Sequence, residues 1–118
     1  MFEVKDSGER SKFDTGAQRD LGAGKGRYDL LSPHVMRRLA KLYEAGALKY
    51  DARNWEKGIP AHRCVDSALR HLFQYLAGDR TEDHAAAVLF NLSCLIQYEE
   101  TGREDLWSDM PWPFPKEK

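Results

Sequence analysis

The chain has 118 residues, enough for one compact domain, with 18 Lys and Arg against 19 Asp and Glu for a formal net charge of −1. That near balance argues against a dedicated nucleic-acid surface, which would usually be basic, so no stable nucleic-acid binding is expected; a local cationic pocket for phosphate stays open. The longest apolar run, 85–90, is far too short to span a membrane, and no apolar signal-peptide core is found near the N-terminus. A cytoplasmic protein is expected, with Cys64 and Cys94 as reduced core thiols.

Residues 1–31 are polar and rich in glycine, with no period of 3.6 or 2. An irregular arm is expected there, with strand pieces near Phe2–Val4 and Tyr28–Leu31; disorder is the bland alternative. Phe13, Leu21 and Tyr28 are candidate anchors. Ser32 followed by Pro33 marks a helix start. Val35, Met36, Leu39, Leu42 and Tyr43 then form one apolar stripe running to about Lys49.

A loop covers 50–60, where Gly58 and Pro60 are breakers. The second helix is expected from Ala61 to Ala77, burying Val65, Ala68, Leu69, Leu72, Phe73 and Leu76, with Gly78 as its stop. Thr81 is the expected cap of the third helix, with Glu82 and Asp83 in its first turn. From Ala85 to Ile96 only Asn91 and Ser93 are polar, which predicts the central helix, fraying after Tyr98 and stopping near Gly102. The alternating Pro and aromatic residues from Leu106 to Pro115 predict an extended strap rather than a helix. The fold expected is all-α: three main helices in a small bundle (32–102), with an irregular N-terminal arm (1–31) and a Pro/aromatic C-terminal strap (103–118). So small a bundle buries a modest core, which points to a homo-oligomer.

Polar groups beside the most apolar segments are costly to bury unless partnered, so they mark a candidate pocket between helices. Asp66 and Arg70 are four apart, as a surface ion pair or as a site in which Arg receives phosphate. His71 adjoins the apolar stripe. His84 and Asn91 are two turns apart on one stripe, roughly 10 Å, a span suited to a nucleoside or to a hydrogen-bonded interhelical network. Gly24-Lys25-Gly26-Arg27 places two cations among glycines without P-loop spacing. With Lys49, Arg53 and Arg70 it supplies cations for a polyphosphate. Trp55 and Tyr50 flank Arg53-Asn54, which suits base stacking with edge hydrogen bonds or a loop pinned by a buried Trp.

The segments 24–31, 44–50, Arg53-Asn54-Trp55-Glu56-Lys57-Gly58, Asp66-Ser67-Ala68-Leu69-Arg70-His71-Leu72 and Glu82-Asp83-His84-Ala85-Ala86-Ala87 together resemble a phage and prophage family, the N-terminal domain of dATP/dGTP diphosphohydrolase. The resemblance covers about residues 6 to 100. It implies a helical, MazG-like pyrophosphohydrolase of purine deoxynucleoside triphosphates in the host cell cytoplasm. It implies Asp83, His84 and Asp66 as catalytic candidates, and Glu44, Asp66 and Asp83 as ligands for Mg²⁺ or Mn²⁺. Lys25, Arg27, Lys49, Arg53, Asn54, Trp55, Arg70, His71 and Asn91 would bind the nucleotide. The chain departs from the MazG pattern of Glu-Glu-x-x-Glu followed by Glu-x-x-Asp. Aligned on the third helix, Asp83 or His84 falls near the Glu of Glu-x-x-Asp, Ala87 falls at its Asp, and Asp66 on the second helix stands without a Glu cluster. Two further readings follow from that departure: a non-catalytic protein that sequesters a signalling nucleotide, and an HD-type phosphohydrolase using His71, Asp83 and His84, whose Asp-His order is reversed.

Overall fold

In the computed structural model, residues 2–115 are described; Met1 and 116–118, the last residues of the expected strap, lie outside the described residues. The chain divides into two compact units between Leu31 and Ser32.

The first unit contains a small antiparallel hairpin, β1 (Arg10–Lys12) with β2 (Gln18–Asp20), in the register Arg10↔Asp20, Ser11↔Arg19 and Lys12↔Gln18. The strand pieces expected at Phe2–Val4 and Tyr28–Leu31 are therefore misplaced: the first is not a strand, and Tyr28–Leu30 is a 3-10 turn. The polar sequence of β1 and β2 gave no period to read. Local polar contacts hold this unit together, with Asp20 accepting from the Ser7 amide and hydroxyl and paired with Arg10. Of the proposed anchors, Phe13 and Tyr28 remain exposed.

The second unit is the helical bundle. Helix α1 (Pro33–Lys49) starts as expected: Ser32 Oγ accepts from Val35 N at 3.4 Å and Pro33 occupies the first turn. Helix α2 (Ala61–Leu76) ends at Gly78, whose φ of 89° permits the closing bonds Gly78 N to Tyr75 O and Asp79 N to Gln74 O. Helix α3 (His84–Glu100) is capped by Asp83, whose carboxylate accepts from Ala86 N at 3.1 Å. Thr81 was the expected cap; instead its amide and hydroxyl both donate to Asp79. The chain thus spends Asp79 and Thr81 on the turn and leaves the cap to Asp83.

Helix α3 is central. Ser67–Asn91 and His71–His84 contacts make α2 antiparallel to it, and Arg38–Asp83 and Tyr43–Phe90 contacts make α1 parallel to it. The buried cluster is Ala61, Cys64, Cys94, Tyr98 and Trp107, joined by Trp55, Ile59, Phe90, Leu95, Leu106, Met110 and Phe114. Both cysteines are free and buried.

Two expectations are corrected here. The stripe of α2 is largely uncovered: Leu69, Leu72, Phe73 and Leu76 are exposed, Phe73 and Leu76 by 66% and 69%, because α2 turns Ala61, Cys64 and Ala68 toward α3. Val35 and Met36 of α1 are likewise exposed. Also, the strap does not begin extended, since Glu104–Trp107 form a 3-10 turn that buries Trp107 under an edge-on Phe114 ring. The segment also locks onto the loop before α2. Arg103 donates to Lys57 O, and its guanidinium lies 2.8 Å from where a Cβ on Gly58 would sit, at a φ of +110°.

Candidate functional site

The buried end of α3 carries a line of three acid–base groups. His84 is 1% exposed, and its Nε2 lies 3.0 Å from Asp79 Oδ2 while its Nδ1 lies 2.8 Å from His71 Nδ1. The closing turn of α2 places Asp79, and Thr81 N and Oγ1 hold its other oxygen at 2.9 and 2.7 Å. Those bonds, with His84, bring the Asp79 carboxyl down to about 2, so it is ionised at neutral pH. An ionised carboxylate only accepts, so His84 Nε2 carries the proton. Between the two Nδ1 atoms one proton is shared, so one ring donates and the other accepts. Among the described residues His71 Nε2 has no hydrogen-bond partner, and it is open to solvent. Burial, then the charge of Arg70 and His84, lowers His71 below its ordinary 6.5 against a smaller opposing pull from Glu82.

Asp79 escaped sequence reading. Its signal was Gly78-Asp79-Arg80-Thr81, a turn in which an Asp can accept from the residue two further on. Arg80 is fixed over the Tyr75 ring at 4.5 Å and donates to Tyr75 O and Asp79 O.

Around this line, Asp83 does structural work. Arg38 of α1 forks onto its carboxylate at 2.5 and 2.8 Å, which holds it at about 2. Arg70 lies on the exposed side of α2, and among the described residues it makes no ion pair, with Asp66 or otherwise. Asp66 and Arg70 share a shallow groove with Leu69, Phe73, Gln74 and Ala77, in which Gln74 Oε1 is buried without a partner. Asn91 donates to Ala87 O at 2.8 Å and Ser67 Oγ at 3.3 Å, bridging α2 and α3 as an interhelical bond.

The aromatic loop sits at the opposite end of α3. Tyr98 Oη donates to Trp55 O at 2.6 Å and accepts from Ile59 N at 3.1 Å. Trp55 stacks edge-on with Tyr43 at 5.4 Å, and Tyr43 with Phe90 at 5.0 Å. Arg53 pairs with Glu56, Asn54 lies in the 3-10 turn Asn54–Lys57, and Lys49 lies over the Tyr50 ring. His84 and Tyr98 are about 21 Å apart at the helical rise per residue. One chain therefore gathers Asp79, His84, His71 and Arg70 at one end, and Arg53, Asn54 and Trp55 at the other. In the first unit Lys25 pairs with Asp20, and Arg27 forks onto Asp29 at 2.8 Å.

A profile of the family described as dATP/dGTP diphosphohydrolase, N-terminal, matches residues 15–106. The chain belongs to that family. No curated protein and no solved structure matches it. For a family of diphosphohydrolases a divalent metal is the obvious cofactor to test against the donor set. Among the described residues no three His, Cys, Asp or Glu side chains are grouped to hold one. Glu44 is exposed on α1, Asp66 is exposed on α2, and Asp83 is committed to Arg38 and Ala86. Both nitrogens of His84 are also committed. The single-chain donors therefore do not fit a hard-cation site. No helix of the described residues is long and apolar enough to cross a membrane.

Proposed function

We propose that this chain is a phage-type pyrophosphohydrolase of purine deoxynucleoside triphosphates, acting in the host cell cytoplasm and releasing the monophosphate and pyrophosphate. The family match over residues 15–106 carries the reading. The unpaired Arg70 beside the open nitrogen of His71 supports it, since guanidinium is the natural planar partner of a phosphate and imidazole a proton acceptor at neutral pH. In this reading 1–118 is one nucleotide-handling domain, 32–102 is its core, and Arg70 and His71 meet the phosphates. Arg53, Asn54 and Trp55, at the far end of α3, are assigned to the nucleotide only as the contribution of a second copy. A second copy covers the exposed Leu69, Phe73 and Leu76 of α2, an apolar display of the kind monomers seldom leave in water. Mg²⁺ or Mn²⁺ would need carboxylates that one chain does not group, so Glu44, Asp66 and Asp83 serve as ligands only if a further copy or the substrate completes the set.

The separation of those carboxylates favours one other reading, a protein that holds a nucleotide intact. A panel of dNTPs, NTPs and cyclic nucleotides, with and without Mn²⁺, separates the two. Chromatography of the small molecules before and after heat denaturation shows deoxynucleoside monophosphate if the chain is a hydrolase. A nucleotide that vanishes from solution and returns on heating establishes sequestration and sinks hydrolysis.

A further inference from the structure

We propose that Asp79, His84 and His71 form a single-file proton relay in which His71 Nε2 is the general base of the site and Asp79 and His84 are its positioning residues. The proposal deepens the hydrolase reading and rests on it for the identity of the substrate. Three observations carry it: the 3.0 Å contact of Asp79 with His84 Nε2, the 2.8 Å contact between the two Nδ1 atoms, and the open Nε2 of His71. His84 has both nitrogens engaged inside the protein, and Thr81 in turn fixes Asp79 with two bonds.

The relay assigns one tautomer to each ring. His84 is protonated at Nε2 and His71 at Nδ1, which leaves the Nε2 lone pair of His71 facing solvent. A proton taken there need not stay on the outer ring. The Nδ1 proton of His71 can pass to His84 Nδ1, and the positive charge then rests beside the Asp79 carboxylate. The charged groups facing the pair are Arg70 on α2, Glu82 and Asp79 in the turn, and Asp83 at the head of α3, itself paired with Arg38 of α1.

In the reaction, a water O–H proton moves to His71 Nε2. The water oxygen forms a P–O bond at the α-phosphorus, and the bond from that phosphorus to the α–β bridging oxygen breaks. Its electron pair leaves on pyrophosphate, and His71 returns its proton to solvent. Arg70, one residue away, is placed to hold phosphate charge.

Two measurements test this on the full chain. Long-range ¹H–¹⁵N correlation spectra at neutral pH should show His71 protonated at Nδ1, the less common tautomer of a free imidazole, and His84 at Nε2. Asp79→Asn should release that preference at His71. The opposite tautomer at His71, or no response to Asp79→Asn in a folded protein, overturns the relay whatever the activity. In turnover of dATP and dGTP, His71→Gln should lower kcat by ~100-fold or more at little change in KM, with loss of the acid limb of the pH profile. Asp79→Asn should keep that limb but displace it. An unchanged kcat and acid limb in His71→Gln overturns the base role. Absence of turnover in the wild type overturns the preceding hydrolase reading and the base role with it, while the spectra still decide the relay.

Discussion

Arg38 and Asp83 join α1 to the first residue before α3 by a two-point ion pair at 2.5 and 2.8 Å, and the same carboxylate caps α3 through Ala86 N. One side chain thereby fastens two helices. Asp83→Ala is expected to cost about 1 kcal/mol for the cap, with a smaller addition for a half-exposed pair. Asp83→Asn keeps the cap and weakens only the pair, so its loss should be the lesser of the two. Urea midpoints of the two variants check the order; equal losses would assign the whole effect to the ion pair.

Stability should fall in two steps on acidification. Asp79 and Asp83 sit at about 2 in the folded chain instead of 3.8. The unfolded chain therefore takes up their protons first, and their contribution is whole above about 3.8 and lost as pH falls toward about 2. His71 lies below its ordinary 6.5 when folded, so its contribution is whole above 6.5 and lost as pH drops beneath it. Urea unfolding at about pH 7, 5 and 3 should show a decline at each interval. A flat response in the first interval would remove His71 from this account.

Phe73 and Leu76 are the most exposed apolar side chains of α2. In the oligomer proposed above they are covered by a second copy, and Phe73→Asp should leave a folded monomer. Light scattering coupled to size exclusion gives the mass directly. A wild-type chain that runs as a monomer at high concentration would end the oligomer reading.

Tyr98 Oη ties the loop before α2 to α3 by bonding Trp55 O and Ile59 N. Tyr98→Phe removes both bonds while filling the same space, and should cost about 1–3 kcal/mol. The loss should be local. Hydrogen exchange is expected to quicken across 53–59 and stay unchanged at the His71–His84 end; quickening throughout would mean that Tyr98 supports the whole bundle.

The three helices were legible because their signals are local. Ser32-Pro33 and Gly78 act within a turn of themselves, and α3 is apolar enough to be read as central without knowing its neighbours. The cap of α3 was misassigned to Thr81 because Thr81 and Asp83 are both good caps, and the choice turns on Asp79, which engages Thr81 in the preceding turn. The covered face of α2 was misjudged for a similar reason. Leu69, Phe73 and Leu76 have helical spacing, but the small residues Ala61, Cys64 and Ala68 allow the close approach to α3. At the candidate site, His71, His84 and Arg70 could be named from the sequence. The link through Asp79 could not, because it arises from the turn that brings Asp79 back onto α3. Nor did the sequence tell that Trp55 and His71 lie at opposite ends of the bundle.

The guanidinium of Arg103 occupies the space a side chain at Gly58 would need. The backbone is the stronger bar to other residues at position 58, since a φ of +110° strains any L side chain, whereas the Arg103 guanidinium is the far end of a flexible side chain and can shift. A methyl group there would displace the Arg103 guanidinium and so disturb its bond to Lys57 O. The loop of Trp55 and the segment after α3 are thus joined directly through Arg103, beside the tie that Tyr98 makes from α3.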